Sequence, residues 1–414
     1  MTLVKTSILS LIATIIRVIS GLVINKAVAL YIGPSGLALI GQLQSFIQLV
    51  SELAKAGINS GVVKYTAEYG RDSKKTNALI STAAKISLLS TAVITTVLVI
   101  FSETISLTIL NTHEYSYLIV LLGVTITFFV LNNLMLSIIN GYKEIKIWIY
   151  INISQSVYGL IFTTFLIVIL GIEGALIAVV TNQSVVFFII LLFIRKNNII
   201  KFSVFKNKFN KIHSLNLLRF SAMALTSAIV IPGSHIIVRD NLVESLSWEQ
   251  AGIWQGMIYI STTYLMVITT ALTTYYLPRL SEITEKNDLK AELMNGFKII
   301  LPTVVTLSIV IYLMRDLIIV ILFSNDFNNM RELFLWQLVG DVIKISSWLF
   351  AYQMLAKAMM KSYIVTEVLF SCTFILLSLL FVNKFGLVGM SYSYAVNYTI
   401  YFFIVFFITK KNWS

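Results

Sequence analysis

Charge is what this sequence has least of. Asp, Glu, Lys and Arg make up 12% of its 414 residues, about half the share of a soluble domain, so no water-facing surface can be built from them. A single cysteine, Cys372, excludes an intrachain disulfide and a thiolate metal cluster. His113, His213 and His235 are too scattered to suggest a histidine metal site. No small-residue cleavage pattern follows the first apolar run, and that run, from about Ser7 to Tyr31, is too long for a signal-peptide core. It is expected to stay attached as a first span.

Hydrophobic residues fill the space that charge leaves, at 57% of the chain with a mean hydropathy of +0.87. Apolar runs of roughly 20 residues, enough to cross a hydrocarbon core about 30 Å thick, recur from end to end. They place spans near 7–31, 36–62, 78–101, 115–139, 147–170, 174–194, 214–237, 252–277, 296–314, 331–356, 362–382 and 387–408. The expected fold is therefore an all-α polytopic membrane protein of about 12 transmembrane helices.

Positive loops are retained on the cytoplasmic side, so Lys and Arg outside the spans set orientation. Counting alternate connections from Lys5 through Lys143, Arg195, Arg279 and Lys357 to Lys411 gives about 21, whereas the other loops hold Arg239, Arg315, Arg331 and Lys384. Both termini are expected in the cytoplasm. The net charge of +12 is thus mostly a topology signal that could also touch anionic headgroups, and nucleic-acid binding is not needed to explain it. The longest connection, about 195–214, is basic and divides the spans six and six, which suggests bundles over 1–200 and 201–414. A faint echo between Gly36–Lys64 and Gly252–Leu280, about 216 residues apart, would make the halves a parallel repeat.

Nine charged residues fall inside these spans, at least five positions from either end: Arg17, Lys26, Lys55, Lys85, Arg219 and Lys344, with Glu52, Asp341 and Glu367. Each costs a few kcal/mol at mid-bilayer, so each should face protein or a wet cavity. Arg17 sits near the middle of its span, where snorkelling to either interface is difficult. Lys26, nine residues on, lies on the opposite face of a straight helix, so both line one lumen only if the helix bends, for instance at Gly21. Gln44, Gln48, Ser51, Glu52, Lys55 and Asn59 form a polar stripe at helical spacing. Glu52 and Lys55 also read as an i,i+3 ion pair. Gln337, Asp341, Lys344 and Trp348 repeat the pattern, and Asp341 is either a coupling-ion or proton site or the neutraliser of Lys344. Lys85, Arg219 and Glu367 lie one or two turns from the expected cytoplasmic surface, where snorkelling competes with a functional role. Six bases against three acids describe an interior that attracts an anion and disfavours cationic drugs.

Four blocks are specific enough to carry a family resemblance in so hydrophobic a chain: Ile32–Leu37 (IGPSGL), Ala251–Gly256 (AGIWQG), Leu277–Asp288 (LPRLSEITEKND) and Met330–Ile345 (MRELFLWQLVGDVIKI). Over nearly its full length the chain resembles the Wzx-type flippases for lipid-linked oligosaccharides, of the enterobacterial common antigen (lipid III) and O-antigen kinds, in the multidrug/oligosaccharidyl-lipid/polysaccharide exporter (MOP) superfamily. The resemblance implies a MATE-like fold of two six-helix bundles forming a V around a central cavity. It implies movement of undecaprenyl-pyrophosphate-linked sugars between inner-membrane leaflets, for lipopolysaccharide or common-antigen biosynthesis. Families of this fold place basic residues of the first helices in the cavity, which implies substrate-binding roles for Arg17 and Lys26, and by weaker transfer Lys55 and Lys85. A polymerase and a chain-length regulator are the partners it implies.

The expected mechanism is alternating access, with the pyrophosphate captured on Arg17, Lys55 and Lys85, and sugars accommodated by polar side chains such as Gln44 and Gln48, with Lys344 as a further contact. Protonation of Glu52 or Asp341, a sodium ion, or membrane potential could drive the return step, and no cofactor is implied. The alternatives are a multidrug exporter on the same fold; a glycosyltransferase, polymerase or ligase, against which stand short periplasmic loops and no paired-carboxylate motif; and a channel, for which no filter-like loop is present. A six-plus-six chain can form a complete path, so a monomer is the default.

Overall fold

The computed structural model describes residues 3–71, 74–197, 204–205 and 207–411, and no strand occurs among them. Lys201 and Lys206 of the basic connection lie outside the described residues, as do the side chains of Lys5 and Arg219. The helices are α1 (Leu3–Tyr31), α2 (Gly33–Ala54), α3 (Asn59–Tyr69), α4 (Lys74–Ile100), α5 (Ser102–Leu110), α6 (Ser116–Gly141), α7 (Ile145–Asn197) and α8 (Lys211–Ser245), followed by α9 (Trp248–Ala271), α10 (Leu277–Glu282), α11 (Lys286–Leu313), α12 (Arg315–Leu322), α13 (Phe334–Ala356), α14 (Met360–Phe385) and α15 (Val388–Lys410).

Among the described residues, nine helices are long and apolar enough to cross a bilayer, or ten if the 3-10 turn Asn325–Glu332 and α13, bent 60° apart, form one span. α7 has 53 residues, about 80 Å of helix at 1.5 Å per residue, and Gly171 breaks it with φ +57° and ψ −128°. It therefore supplies two crossings, divided where the sequence places the break between 147–170 and 174–194. Counting α7 twice gives ten such spans, or eleven with the bent pair, and α8, whose 35 residues include Pro232, is a further helix of spanning length.

The distribution of side chains is that of a protein solvated by hydrocarbon. Leu313 and Ile299 are 73% and 70% exposed, while Asp341 and Gln353 are completely buried. In water such apolar exposure would drive aggregation, whereas in lipid it carries no penalty.

Two compact units form, one from Met1–Tyr31 with Gln42–Pro232 and the other from Ile32–Gly41 with Gly233–Ser414. The first packs α6 against α4 and α7, and α1 along α7. Ile58, Val62, Leu79, Ile80, Ile138 and Ile190 fill its core. The second packs α13 against α11 and α15, and α14 along α15. Tyr276, Leu280, Leu349, Tyr401 and Val405 belong to its core. The later boundary between these units falls at Pro232–Gly233, within α8. The basic connection is fastened to α4: Ser81 Oγ donates to the carbonyls of Phe205 and Asn207, and the Asn210 amide donates to Thr82 Oγ1. Val204 and Leu217 complete the same apolar core.

The expected span 36–62 ends early. After Ala54 the backbone turns through Ala56 and Gly57, with φ of +51° and +62°, before α3 begins. Gly57 meets the demand for positive φ directly, and Ala56 adopts it beside the turn. The second unit has a matching interruption: α9 passes into a π turn, Leu272–Tyr276, and then into the short α10. The echo between Gly36–Lys64 and Gly252–Leu280 is therefore an echo of long helix, interruption and short helix. The block AGIWQG is small where close packing demands it. A Cβ on Gly252 would strike the Pro34 carbonyl, and one on Gly256 would strike Met330 and Phe323.

Candidate functional site

In the first unit the polar stripe of α2 opens onto a cavity of about 360 Å³. Gln44, Gln48, Ser51, Glu52 and Lys55 form one wall, and Thr163, Asn182 and Gln183 of α7 form another. A second cavity of about 400 Å³ shares Gln48, Glu52 and Lys55 and adds Asn59 and Ser60 beyond the turn. Although the break removes Asn59 from the helix, the turn returns it to the same polar surface. Lys55 is buried, donates to Glu52 Oε1, and lies 5.7 Å from the centre of the Phe129 ring. Its place in the last turn before the break also sets its charge against the negative end of the α2 dipole. The ion-pair and cavity-lining readings of Glu52 and Lys55 therefore hold together.

The amide side chains carry the chemical meaning of this surface. Gln44, Gln48, Asn182 and Gln183 each offer donors and an acceptor, which suits the hydroxyls of a sugar. Lys55 adds a point charge suited to phosphate oxygens. Asn182 packs closely on Gly159, where a Cβ would lie 2.9 Å from its amide nitrogen.

Arg17 and Lys85 do not join Lys55 in this cavity. Arg17 is exposed and donates to Asn152 Oδ1 of α7 at 2.9 Å. Ile24, two turns further along the same face of α1, reaches the cavity wall instead. Lys26 is half-buried, and because α1 runs unbroken through Gly21 it projects from the face opposite Arg17. Lys85 is exposed and donates to the Asn207 carbonyl at 2.6 Å. The three cations expected to clasp one pyrophosphate thus stand at three separate places in this structure.

The second unit holds a different polar cluster. The fully buried Asp341 accepts from the Tyr394 hydroxyl at 2.8 Å and the Tyr264 hydroxyl at 2.9 Å. Gly340 permits this approach, because a Cβ there would collide with the Tyr394 ring. One turn earlier, Gln337 donates to Ser261 at 3.3 Å. Lys344 lies over three rings, 5.1 Å from Trp348, 5.6 Å from Tyr398 and 5.9 Å from Tyr394. No ion pair joins it to Asp341 among the described residues, so the carboxylate is satisfied by tyrosines and the ammonium by aromatic faces. Direct contact with Lys344 is therefore not what holds Asp341 in place.

Two features escape the sequence reading. Asn182 and Gln183 belong to Thr181–Ser184, four consecutive polar residues inside an apolar run, which is a legible signal. Arg239, assigned from sequence to a periplasmic loop, is 1% exposed because α8 continues to Ser245. Its guanidinium donates to Gln255 Oε1 at 2.6 Å and lies 5.6 Å from the Trp254 ring. His235, one turn before it, stacks on the same indole at 5.8 Å.

Comparisons with known proteins bear on this geometry. The family described as "Polysaccharide biosynthesis protein" matches residues 3–284. The Lipid III flippase of Escherichia coli (strain K12) is 31% identical over 402 residues, covering 97% of this chain and 97% of that protein. An inward-facing multidrug resistance MATE family transporter of the MOP superfamily aligns with a TM-score of 0.77 at 13% identity, over 96% of this chain and 94% of that one. The lipid II flippase MurJ, in an inward closed conformation, aligns with a TM-score of 0.72 at 17% identity, over 99% of this chain and 89% of that one. At these identities the structural likenesses show a shared all-α fold.

Proposed function

Because the chain belongs to the polysaccharide biosynthesis protein family, we propose that it flips an undecaprenyl-pyrophosphate-linked oligosaccharide, of the O-antigen or enterobacterial common antigen kind, from the cytoplasmic to the periplasmic leaflet of a bacterial inner membrane. The observation that carries this reading is the first unit's cavity, where a buried ammonium stands among amide side chains. A phosphate group and a chain of sugar hydroxyls together need that combination. The lysine-rich alternate connections support an orientation with both termini in the cytoplasm.

Capture begins with competition for Lys55. Its ammonium is paired with Glu52, and an incoming pyrophosphate or protonation of Glu52 releases it for the substrate. Alternating access then presents the cavity to the opposite leaflet. Asp341 is the proposed coupling group: it is buried, and its two tyrosine donors can re-orient as the carboxyl gains or loses a proton. Membrane potential contributes about 2.3 kcal/mol per charge moved through 100 mV. The protein acts as a monomer and hands its cargo to a polymerase and chain-length regulator.

The test is complementation of bacteria lacking both common-antigen and O-antigen flippases, scored by surface glycan and by the trapped lipid-linked intermediate. Restored glycan and loss of the intermediate are expected. Persistent intermediate despite membrane expression, together with protection against cationic dyes, would transfer the assignment to multidrug export. Asp341→Asn should then lower flux and flatten its dependence on the proton gradient, and an unchanged gradient dependence would remove Asp341 from the coupling step.

A further inference from the structure

The carrier lipid of such a substrate must run somewhere while its headgroup is held, and a second surface of the first unit has the shape for it. Along α4, the segment containing Phe209 and Ser214 encloses a groove of about 530 Å³. Leu89, Val93 and Ile94 of α4 form its apolar length, Phe209 stands across from them, and Lys85 lies at its polar end. We propose that this groove binds the polyprenyl tail of a lipid-linked substrate as it docks, with the Lys85 ammonium meeting the pyrophosphate that caps the tail before that headgroup passes to Lys55. The proposal rests on the flippase reading above and deepens it.

Three physical features agree. Lys85 and Ile94 are nine residues apart, so the groove descends about 14 Å along the helix, roughly half the hydrocarbon thickness. Leu89, Val93 and Phe209 are 71%, 57% and 51% exposed, leaving apolar surface for a chain to cover. Lys85 uses one donor on the Asn207 carbonyl, and an ammonium has two more with which to take phosphate oxygens. Its long stem can hold that charge at headgroup depth while the tail runs inward. An ordinary lipid-facing helix is convex and has no opposite wall. Here the 207–210 segment, tied to α4 through Ser81, Thr82 and Lys85, provides one.

The experiment uses the full-length protein in proteoliposomes, comparing wild type with Val93→Trp and Leu89→Trp, two substitutions at exposed sites that fill the groove. Each is given the same pyrophosphate-linked oligosaccharide on a full-length polyprenyl tail and on an analogue whose tail ends short of Leu89. Both variants should raise the half-saturating amount of the long-tailed lipid about tenfold, the equivalent of roughly two buried methylenes, and leave the short-tailed one unchanged. Equal effects on the two lipids, or none on either, in variants that elute as wild type would overturn the groove. So would excess phosphatidylglycerol that competes with the long-tailed lipid for wild type as effectively as free polyprenyl pyrophosphate does, since the groove would then be a general phospholipid seam. If wild type moves neither lipid, the flippase reading itself fails, and the groove falls with it.

Discussion

Lys55→Ala removes the ammonium from the amide-lined cavity of the first unit while leaving every other wall in place. The side chain is 10% exposed and lies between the Glu52 carboxylate and the Phe129 ring. A hydrogen bond to a charged group is worth about 1.5–3 kcal/mol, so losing the contact to pyrophosphate should raise the half-saturating substrate level about 10- to 150-fold. A second effect acts in the same direction. Glu52, whose side chain is 28% exposed, would face the incoming anion without its partner. Two unit charges about 4 Å apart repel by about 4 kcal/mol at an effective dielectric of 20, and solvent at a partly exposed group leaves only a fraction of that. Lys55→Ala should therefore be worse than the double variant Lys55→Ala with Glu52→Gln, and Glu52→Gln alone should bind substrate at least as well as wild type. The assay is the initial flipping rate in proteoliposomes against the mole fraction of lipid-linked oligosaccharide, with a thermal melt to confirm folding. A folded Lys55→Ala protein with wild-type half-saturation, or a double variant worse than either single one, would refute the reasoning.

Three further outcomes follow from packing and titration. Gly340→Ala places a methyl group against the Tyr394 ring and should cost about 1–3 kcal/mol of stability, read as a lower melting midpoint; an unchanged midpoint would mean that α13 and α15 separate without penalty. Arg239→Lys keeps the charge but loses the planar group over Trp254 and the fork that reaches Gln255, so it should destabilise by about 1–3 kcal/mol; wild-type stability in that variant would show that charge alone is what the site requires. His213 has its pKa lowered, first by burial and then by Lys75, and it packs against Tyr69. The unfolded chain therefore takes up this proton first as pH falls below about 6.5, and the stability contributed by the neutral imidazole, intact above that value, declines towards its lower folded pKa. Melting midpoints measured from pH 7.5 to 5 should fall less steeply for His213→Gln than for wild type, and parallel curves would remove this residue from the acid response.

The polar stripe of α2 was legible because helical spacing is a local property, and so was the pairing of Glu52 with Lys55 at i,i+3. Of the opposite wall only the polar run Thr181–Ser184 was legible, not its position, since Asn182 and Gln183 face that stripe only through the rotation of α7 about its own axis. Arg17 illustrates the same limit: an intramembrane arginine announces that it needs a polar partner, but only packing of α1 on α7 makes that partner Asn152. The break at Ala56 and Gly57 was hidden because the apolar pattern continues across it, and hydropathy averages over a turn. Arg239 was misplaced for the converse reason, since charges after residue 237 read as the end of a span although α8 continues.

By itself, then, the sequence determined a chain solvated by lipid, the approximate places of its membrane-spanning helices, and the blocks that tie it to its family. These follow from transfer free energy and residue spacing, which act along the chain. The tertiary structure alone decided that Lys55 meets the amides of α7, that Asp341 is held by Tyr264 and Tyr394 while Lys344 rests on aromatic rings, and that Arg239 is buried. Those outcomes depend on helix rotation and register between segments far apart in sequence, where a small change in packing gives the same side chain a different neighbour.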